Sequence, residues 1–523
     1  MLDCMDTSIG FFAIRDFWGE WLAKTYFSAE QFMTRPDILL MLLCTLLIVY
    51  AANNEASVAE DGSTAESIEQ MEQERIHWPF PEQERWVEEP VFNGRLHLVE
   101  SGRTNQQTII LVHGLGMRGL LDWLKVFPAL AGKYHVIAID LPGFGGSDKH
   151  QVQYAPQKYA ELVNWVVSRF AHDKVIVIGH SMGGAVSLRY AHDFPEQVSR
   201  LIMVDAAGIL QRTVFIKHLA KVPTTYEWLE PYQRRIPGLK GLVKKLAGKT
   251  DNWTRSLLVT MDRLPDIPQL MMSSGLARKY LYKDHATLNA ALGLVYEDFS
   301  RAAREVEIPT HIIWGDQDSV APIRTGIVLA DLLPNAEFHQ VFEAGHVPMT
   351  DNFESFMQVL NYSLENEPRA RQAQKRLLAV GNEMPIKETV RCDGQKNQVF
   401  KGHYKSLQFK NCHGIVLRDL VAESIVLVSS DVSLENVQLS SVRTALLAID
   451  SVVTATLLQV DANIGLEVDS SYLDFAGATI TTSKRLVDIR HNSQIYFSLS
   501  VHQQGDQKDE LHGVSLGAVF NLQ

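Results

Sequence analysis

The sequence predicts an α/β fold on a mostly parallel sheet with an inserted helical cap, an all-β right-handed parallel β-helix behind it, and an N-terminal membrane segment ahead of it. Three observations carry this. Apolar β-branched runs alternate with helical stretches between about residues 86 and 364. Five segments starting at Leu407, Ile425, Leu446, Leu466 and Val487 then align without gaps, 18, 21, 20 and 21 residues apart. Near the amino end, Ile38 to Ala52 is unbroken apolar sequence, with no charge between Asp37 and Glu55.

Composition sets the outer bounds. The 523 residues imply two or three domains, and 46% hydrophobic content implies sizeable cores. A formal net charge of −12 argues against nucleic acid as a partner. Four cysteines do not make a disulfide-dense scaffold. No HExxH and no clustered Cys/His pattern points to a metal, and no cofactor is implied.

At the front, residues 1–37 read as a cytoplasmic segment with an aromatic amphipathic helix (Phe11, Ile14, Phe17, Trp18, Trp21, Leu22). Residues 38–54 have the length of a short transmembrane anchor or a signal-peptide apolar region. Lys and Arg lie only on their amino side, at Arg15, Lys24 and Arg35, and none occurs in 53–74. The positive-inside rule then anchors the chain in an inner membrane with the rest facing the periplasm. Read from Met33, the same stretch resembles a cleaved export signal, with Val49-Tyr50-Ala51 as a usable cleavage site. Residues 55–76 are acidic and poor in large apolar groups, and read as a stalk.

The α/β region is expected over 77–207 and 308–364. Its strands fall near 86–92, 95–101, 108–112, 134–139, 174–178, 200–204, 309–313 and 336–342. The run Lys174-Val175-Ile176-Val177-Ile178 feeds Gly179-His180-Ser181-Met182-Gly183-Gly184, and a helical stretch follows. A strand, a G-x-S-x-G turn and a helix hold a serine hydroxyl out at the carboxyl end of the strand. Serine is a poor nucleophile and needs a histidine base, itself oriented by a carboxylate. Asp318 and His346 each sit just past a later apolar strand. Asp316 competes for the acid role, and Asp205 could offer a carboxylate from the neighbouring strand.

Together with His113-Gly114-Leu115-Gly116 and Asp140-Leu141-Pro142-Gly143-Phe144-Gly145-Gly146-Ser147, these pieces resemble the α/β-hydrolase superfamily across residues 86–364. The resemblance implies Ser181 as nucleophile, His346 as base and Asp318 as acid, two residues beyond Asp316. It also implies the backbone N–H groups of Leu115 and Met182 as oxyanion donors. It leaves His113 to the turn motif and His180 to local packing. Serine at the elbow disfavours the dehalogenase and epoxide-hydrolase members, which place an aspartate there. Esterase, lipase, thioesterase and carbon–carbon hydrolase chemistry stay open.

About a hundred residues separate Asp205 from Pro309, so 208–307 is expected to be a cap. Its stretch 211–250 holds nine Lys/Arg against Glu227 and Glu230, interleaved with aromatic and leucine residues. This basic surface is expected to rest on anionic lipid headgroups or to be a solvated helix face. A charged linker, 365–386, leads to the β-helix, 387–523. Repeats of about 20 residues with polar breaks such as Ser429-Ser430-Asp431 and His491-Asn492-Ser493 mark its rungs. Cys392 and Cys412, 20 residues apart, are expected to stack on adjacent rungs, bridged or as buried thiols.

The expected function is a membrane-tethered extracytoplasmic serine hydrolase acting on an acyl ester, lipid-derived by preference. The partners expected are that acyl ester substrate, the membrane lipid surface and an envelope partner on the β-helix. Two other readings stay open: a carbon–carbon hydrolase, which Met203-Val204-Asp205-Ala206-Ala207-Gly208 also resembles, and a non-catalytic envelope assembly protein.

Overall fold

The computed structural model describes residues 78–116, 118–150, 152–210, 286–369 and 386–517, all within one compact unit. The expected membrane segment, the stalk, the basic stretch of the cap and most of the linker lie outside these residues. No helix among the described residues is long and apolar enough to cross a membrane.

The first half is a sheet of eight strands: β1 (Glu84–Glu89), β2 (Gly94–Ser101), β3 (Thr108–Val112), β4 (His135–Ile139), β5 (Val175–His180), β6 (Val198–Val204), β7 (Thr310–Gly315) and β8 (Ala336–Val341). Their spatial order is β1-β2-β4-β3-β5-β6-β7-β8. β2 pairs antiparallel with β1 and β4, and the remaining pairs are parallel. The strands β3, β4 and β5 are buried at every position. Unbroken β-branched runs are what a sheet covered on both faces requires. Strand periodicity divides them between two cores. Ile110, Val112, Ile137 and Val177 join one cluster, and Ile109, Leu111, Val136 and Ile178 the other.

Eight helices lie among the described residues: α1 (Val126–Ala131), α2 (Pro156–Phe170), α3 (Met182–Asp193), α4 (Ala286–Tyr296), α5 (Ala302–Glu305), α6 (Arg324–Leu332), α7 (Pro348–Asp351) and α8 (Phe353–Glu365). Tyr159, Val163, Val186 and Leu188 of α2 and α3 fill the first core, while Phe127, Phe356 and Leu360 of α1 and α8 fill the second. Pro156 opens α2 where no N–H is needed, and the Asn352 side chain caps α8 by accepting the Ser355 N–H.

An ion cluster around the buried Glu100 ties the antiparallel edge to this frame. Burial alone would raise the Glu100 pKa. Hydrogen bonds from His135 and Arg103, with the charges of Arg103 and Arg85, bring it down to about 2 from the usual 4.5. A depressed carboxyl stabilises the fold above its unfolded pKa and loses that effect as pH falls toward its folded one. Glu100→Gln is therefore expected to lower stability at neutral pH and to flatten the fall in stability between about pH 4.5 and about 2. Chemical denaturation across that window reads it.

From Val390 the chain becomes a large β region: β9 (Val390–Asp393), β10 (Val399–Lys410), β11 (Ile415–Val428), β12 (Asp431–Ile449), β13 (Val452–Asp469), β14 (Tyr472–Ala476), β15 (Thr479–Arg490), β16 (Gln494–Ser498), β17 (Ser500–Gln504), β18 (Gln507–Leu511) and β19 (Val514–Gly517). Pairing is parallel except at the last two strands. The pairs Leu407↔Ile425, Ile425↔Leu446, Leu446↔Leu466 and Leu466↔Val487 coincide with the starts of the aligned segments.

The polar breaks are corners. Asn411, Ser429, Asp450 and Ser470 each have φ between 48° and 55°, and a buried Cys or Ser follows each of them. These followers form a ladder. Cys412, Ser430, Ser451 and Ser471 donate their N–H to the hydroxyl of the serine one turn on, over 2.9–3.3 Å. The hydroxyls of Ser430, Ser451 and Ser471 in turn donate to the carbonyl two residues back. Each buried polar group at the corner is thereby satisfied.

Cys412 takes the serine position at the start of this ladder, and its thiol donates to Lys410 O at 3.2 Å. Cys392 instead pairs in register with Phe409, so the two cysteines are not equivalent positions of adjacent turns. They are neighbouring buried free thiols. The reason is local: pairing offsets among the first strands are 17 and 18 residues, not 20.

The two halves share a core. Leu457, Ala476 and Leu499 of the β region belong to the same cluster as Val328 and Leu329 of α6. Gly477 has φ +66°, and a Cβ there would come within 3.0 Å of Val328. Beside them Arg324, at the start of α6, makes two hydrogen bonds of 3.0 Å to Asp474.

Candidate active site

Ser181 sits between β5 and α3 with φ +53° and ψ −119°, a conformation that L residues rarely adopt. It is held there from all sides. Its N–H donates to Val204 O at 2.9 Å, and its carbonyl accepts from Gly184 and Ala207. The strain falls on the serine itself. The flanking glycines serve close packing: a Cβ on Gly179 would lie 2.1 Å from Gly183 O, and one on Gly183 2.2 Å from Val112 O. The helix can start directly above the sheet only because both lack a side chain.

His346 lies in the turn between β8 and α7. Its Nε2 is 2.9 Å from Ser181 Oγ and its Nδ1 is 2.8 Å from Asp318 Oδ2. The Asp318 carboxylate accepts the Nδ1 proton, which leaves the Nε2 lone pair facing the serine hydroxyl. Burial would raise the Asp318 pKa, but the hydrogen bond and charge of His346, with the N–H groups of Val320 and Ala321, hold it below the usual carboxylate range. Asp318 is therefore ionised at neutral pH.

The structure thus brings together Ser181, Asp318 and His346, taken from three separate stretches of sequence. Asp316 does not join them. It accepts the Ala344 N–H, and its own N–H donates to Val341 O, which fixes the turn that carries His346. Met182 is the first residue of α3, so its N–H has no acceptor within the helix. Leu115 lies in a turn pressed against Ser181: a Cβ on its neighbour Gly114 would be 2.9 Å from Ser181 Cβ. His113 is structural. Its Nε2 accepts the Leu141 N–H, so its proton is on Nδ1 and is donated to Gly114 O at 2.6 Å.

Sequence reasoning missed one feature. Asp122, in the short 3-10 helix after the turn, accepts the Gly114 N–H at 3.2 Å and lies 3.4 Å from His180 Nδ1. Burial opposes its ionisation, yet the hydrogen bond and charge of His180 outweigh it and lower its pKa. His180 Nε2 donates in turn to the backbone carbonyl of His346 at 2.8 Å. His180 is thus a brace between the 113–116 turn and the histidine loop. No spacing rule marks Asp122, which is a single carboxylate in a short 3-10 helix.

Asp205, the neighbouring-strand alternative for the acid, is not the hydrogen-bond partner of His346, but its carboxyl lies beside the Asp318–His346 pair, with one ligand atom of each residue within 4.8 Å of the others. Another cluster, His311, Glu337 and His339, has metal-ligand residue types. The His311 and His339 rings are nearly coplanar with nitrogens 3.0 Å apart, edge to edge. An N–H···N hydrogen bond already fills that gap, and burial pushes His311 down to about 4, so it is neutral. The cluster reads as a sheet-edge hydrogen-bond pair.

The family profile described as alpha/beta hydrolase fold matches residues 107–353. An uncharacterized protein of Mycobacterium tuberculosis is 29% identical to this chain over 282 residues, 52% of this chain and 79% of that protein. A 2-hydroxy-6-oxononadienedioate/2-hydroxy-6-oxononatrienedioate hydrolase of Paraburkholderia phymatum is 27% identical, covering 51% of this chain and 89% of its own length. Lipase 1 of Psychrobacter immobilis is 26% identical, covering 50% and 80%. Among solved structures, a bacterial membrane phospholipase A covers 62% of this chain and 97% of its own, at 24% identity and a TM-score of 0.37. Residues 107–353 of this chain carry the alpha/beta hydrolase fold.

Proposed function

We propose that the chain is a serine hydrolase that cleaves carboxylic esters through an acyl-enzyme on Ser181. The observation that carries this is the continuous pair of hydrogen bonds, 2.9 Å from Ser181 to His346 and 2.8 Å from His346 to Asp318. The Ser181 oxygen attacks the ester carbonyl as His346 Nε2 takes its proton. The carbonyl oxygen becomes an oxyanion facing the N–H groups of Met182 and Leu115. Collapse breaks the bond to the alcohol, which leaves with the proton from His346. Water, deprotonated by the same nitrogen, then releases the acid and restores the serine.

The substrate class proposed is a lipid-derived acyl ester. The apolar segment 38–54 and the nine Lys/Arg of residues 211–250 support a site tethered at a membrane surface, facing the periplasm. We further infer that residues 387–517 form one parallel β-helix, on the strength of their parallel, register-matched pairing, and that its outer face meets an envelope partner. A carbon–carbon hydrolase is the second reading, supported by the likeness to the Paraburkholderia phymatum enzyme.

A fluorophosphonate probe is expected to label the chain at Ser181, and p-nitrophenyl esters and lysophospholipids to be hydrolysed. Absence of labelling in the folded chain leaves the non-catalytic assembly reading in its place. Turnover of a vinylogous diketone acid without ester turnover selects the carbon–carbon reading.

A further inference from the structure

Asp205 directly follows β6, beside the strand that leads to Asp318, and it is wholly buried. Its backbone is in the left-handed region, at φ +44°, where a non-glycine residue is strained. Its N–H donates to Ile313 O at 2.9 Å, and its Oδ1 accepts the Gly315 N–H at 2.9 Å. Its Oδ2 is buried and no donor reaches it. A carboxyl oxygen of Asp205 lies within 4.8 Å of an Asp318 carboxylate oxygen and of a His346 ring nitrogen.

Asp318 Oδ1 is engaged by two N–H groups and its Oδ2 by His346. The groups facing Asp205 are thus Asp318 and His346, with Asp351 acting on it from α7. Among the described residues, no lysine or arginine forms an ion pair with Asp205. Two buried carboxyl groups this close cannot both ionise without a cation between them, and one holds a proton. Asp318 is the one that faces the imidazole N–H, so the proton goes to the other.

We propose that Asp205 is a neutral carboxylic acid at working pH, a positioning residue whose Oδ2–H points at the Asp318 carboxylate and holds it toward His346. Burial first, and then the charge of Asp318, push its pKa well above the usual carboxyl range, in accord with this. The group then has one acceptor oxygen on Gly315 N–H and one donor toward Asp318, so the orphan oxygen is accounted for. The proposal rests on the assignment of Ser181, His346 and Asp318 as the reacting groups.

The test uses the full chain with Asp205→Asn and Asp205→Ala. An asparagine copies a neutral acid: its oxygen accepts from Gly315 and its NH₂ donates to Asp318. Asp205→Asn is expected to fold, to keep kcat/KM within about threefold and to leave the acid limb of the pH profile in place, since no charge has been removed. Asp205→Ala is expected to lose at least about tenfold in kcat with little change in KM, because Asp318 is then free to turn away. It also leaves more charge on Asp318 facing His346, so the imidazole holds its proton more tightly and the acid limb moves to higher pH.

An acid limb that moves to lower pH in Asp205→Asn overturns the proposal, since a negative charge would then have been removed. So does an asparagine variant as impaired as the alanine one, or one that does not fold. Difference infrared spectra give a readout independent of activity. The carbonyl stretch of a protonated carboxyl group, present in the parent at pH 8, is expected to vanish in Asp205→Asn. If Ser181→Ala retained full turnover, the reacting-group assignment would fail, while this infrared band would still decide the state of Asp205.

Discussion

Ser181→Ala is expected to lower kcat for ester hydrolysis by about 10⁴-fold or more, with KM little changed. In the proposed mechanism the hydroxyl contributes to the transition state as the attacking atom. His180, the nearest other candidate, spends Nε2 on the His346 carbonyl and directs Nδ1 at Asp122. The fold is expected to persist, because Ser181 is held by backbone bonds to Val204, Gly184 and Ala207 that alanine keeps. Alanine also keeps the strain of φ +53°. Ser181→Gly is therefore the informative companion. It is equally inactive, yet expected to be more stable by about 1 kcal/mol, since glycine adopts that backbone without a Cβ penalty. Steady-state kinetics and denaturant titration measure the two effects. Residual hydrolysis near the parent rate in either variant would remove Ser181 from the mechanism.

Asp474→Ala is expected to cost about 3 kcal/mol in the purified chain, measured by urea unfolding. The side chains of Arg324 and Asp474 are 16% and 8% exposed, and two 3.0 Å bonds join them. Removing the carboxylate leaves a nearly buried guanidinium without its counter-charge, which is the costly way to break such a pair. Replacing both partners with apolar residues of similar size, as Arg324→Met with Asp474→Leu, is expected to recover most of the loss. A single variant within 0.5 kcal/mol of the parent, on the order of a typical exposed pair, would show that water already screens the contact. Activity is expected to fall along with stability at elevated temperature, because α6 directly follows the loop that carries Asp318.

Much of this was legible in the chain because the decisive chemistry is local in sequence. A serine between glycines behind a β-branched strand can be read without neighbours, as can a carboxylate and a histidine each placed just after a strand. The paired strands after Leu407 were legible for a related reason. A turn of fixed length repeats its apolar pattern, and the starts at Leu407, Ile425, Leu446, Leu466 and Val487 are the paired residues. The misplaced cysteines show the limit. The 20-residue period of the later repeats does not hold for the first strands, whose pairing offsets are 17 and 18 residues. Asp122 and the burial of Asp205 were not legible, because each depends on what the fold packs around one carboxylate. The same holds for the shared core at α6, where nothing in Leu457 or Leu499 signals that its neighbours lie in the other half of the chain.

That junction changes what counts as a heritable unit here. Val328 and Leu329 are wholly buried in a cluster that includes Leu457, Ala476 and Leu499. Cutting the chain after the last helix of the first half would bare this apolar seam to water, so the piece that remains would be sticky rather than independent. A gene rearrangement that moved either half elsewhere would carry half of a seam with it. Substitutions at Val328 and Gly477 are accordingly constrained together, as tightly as two residues of one strand, although their numbers are 149 apart.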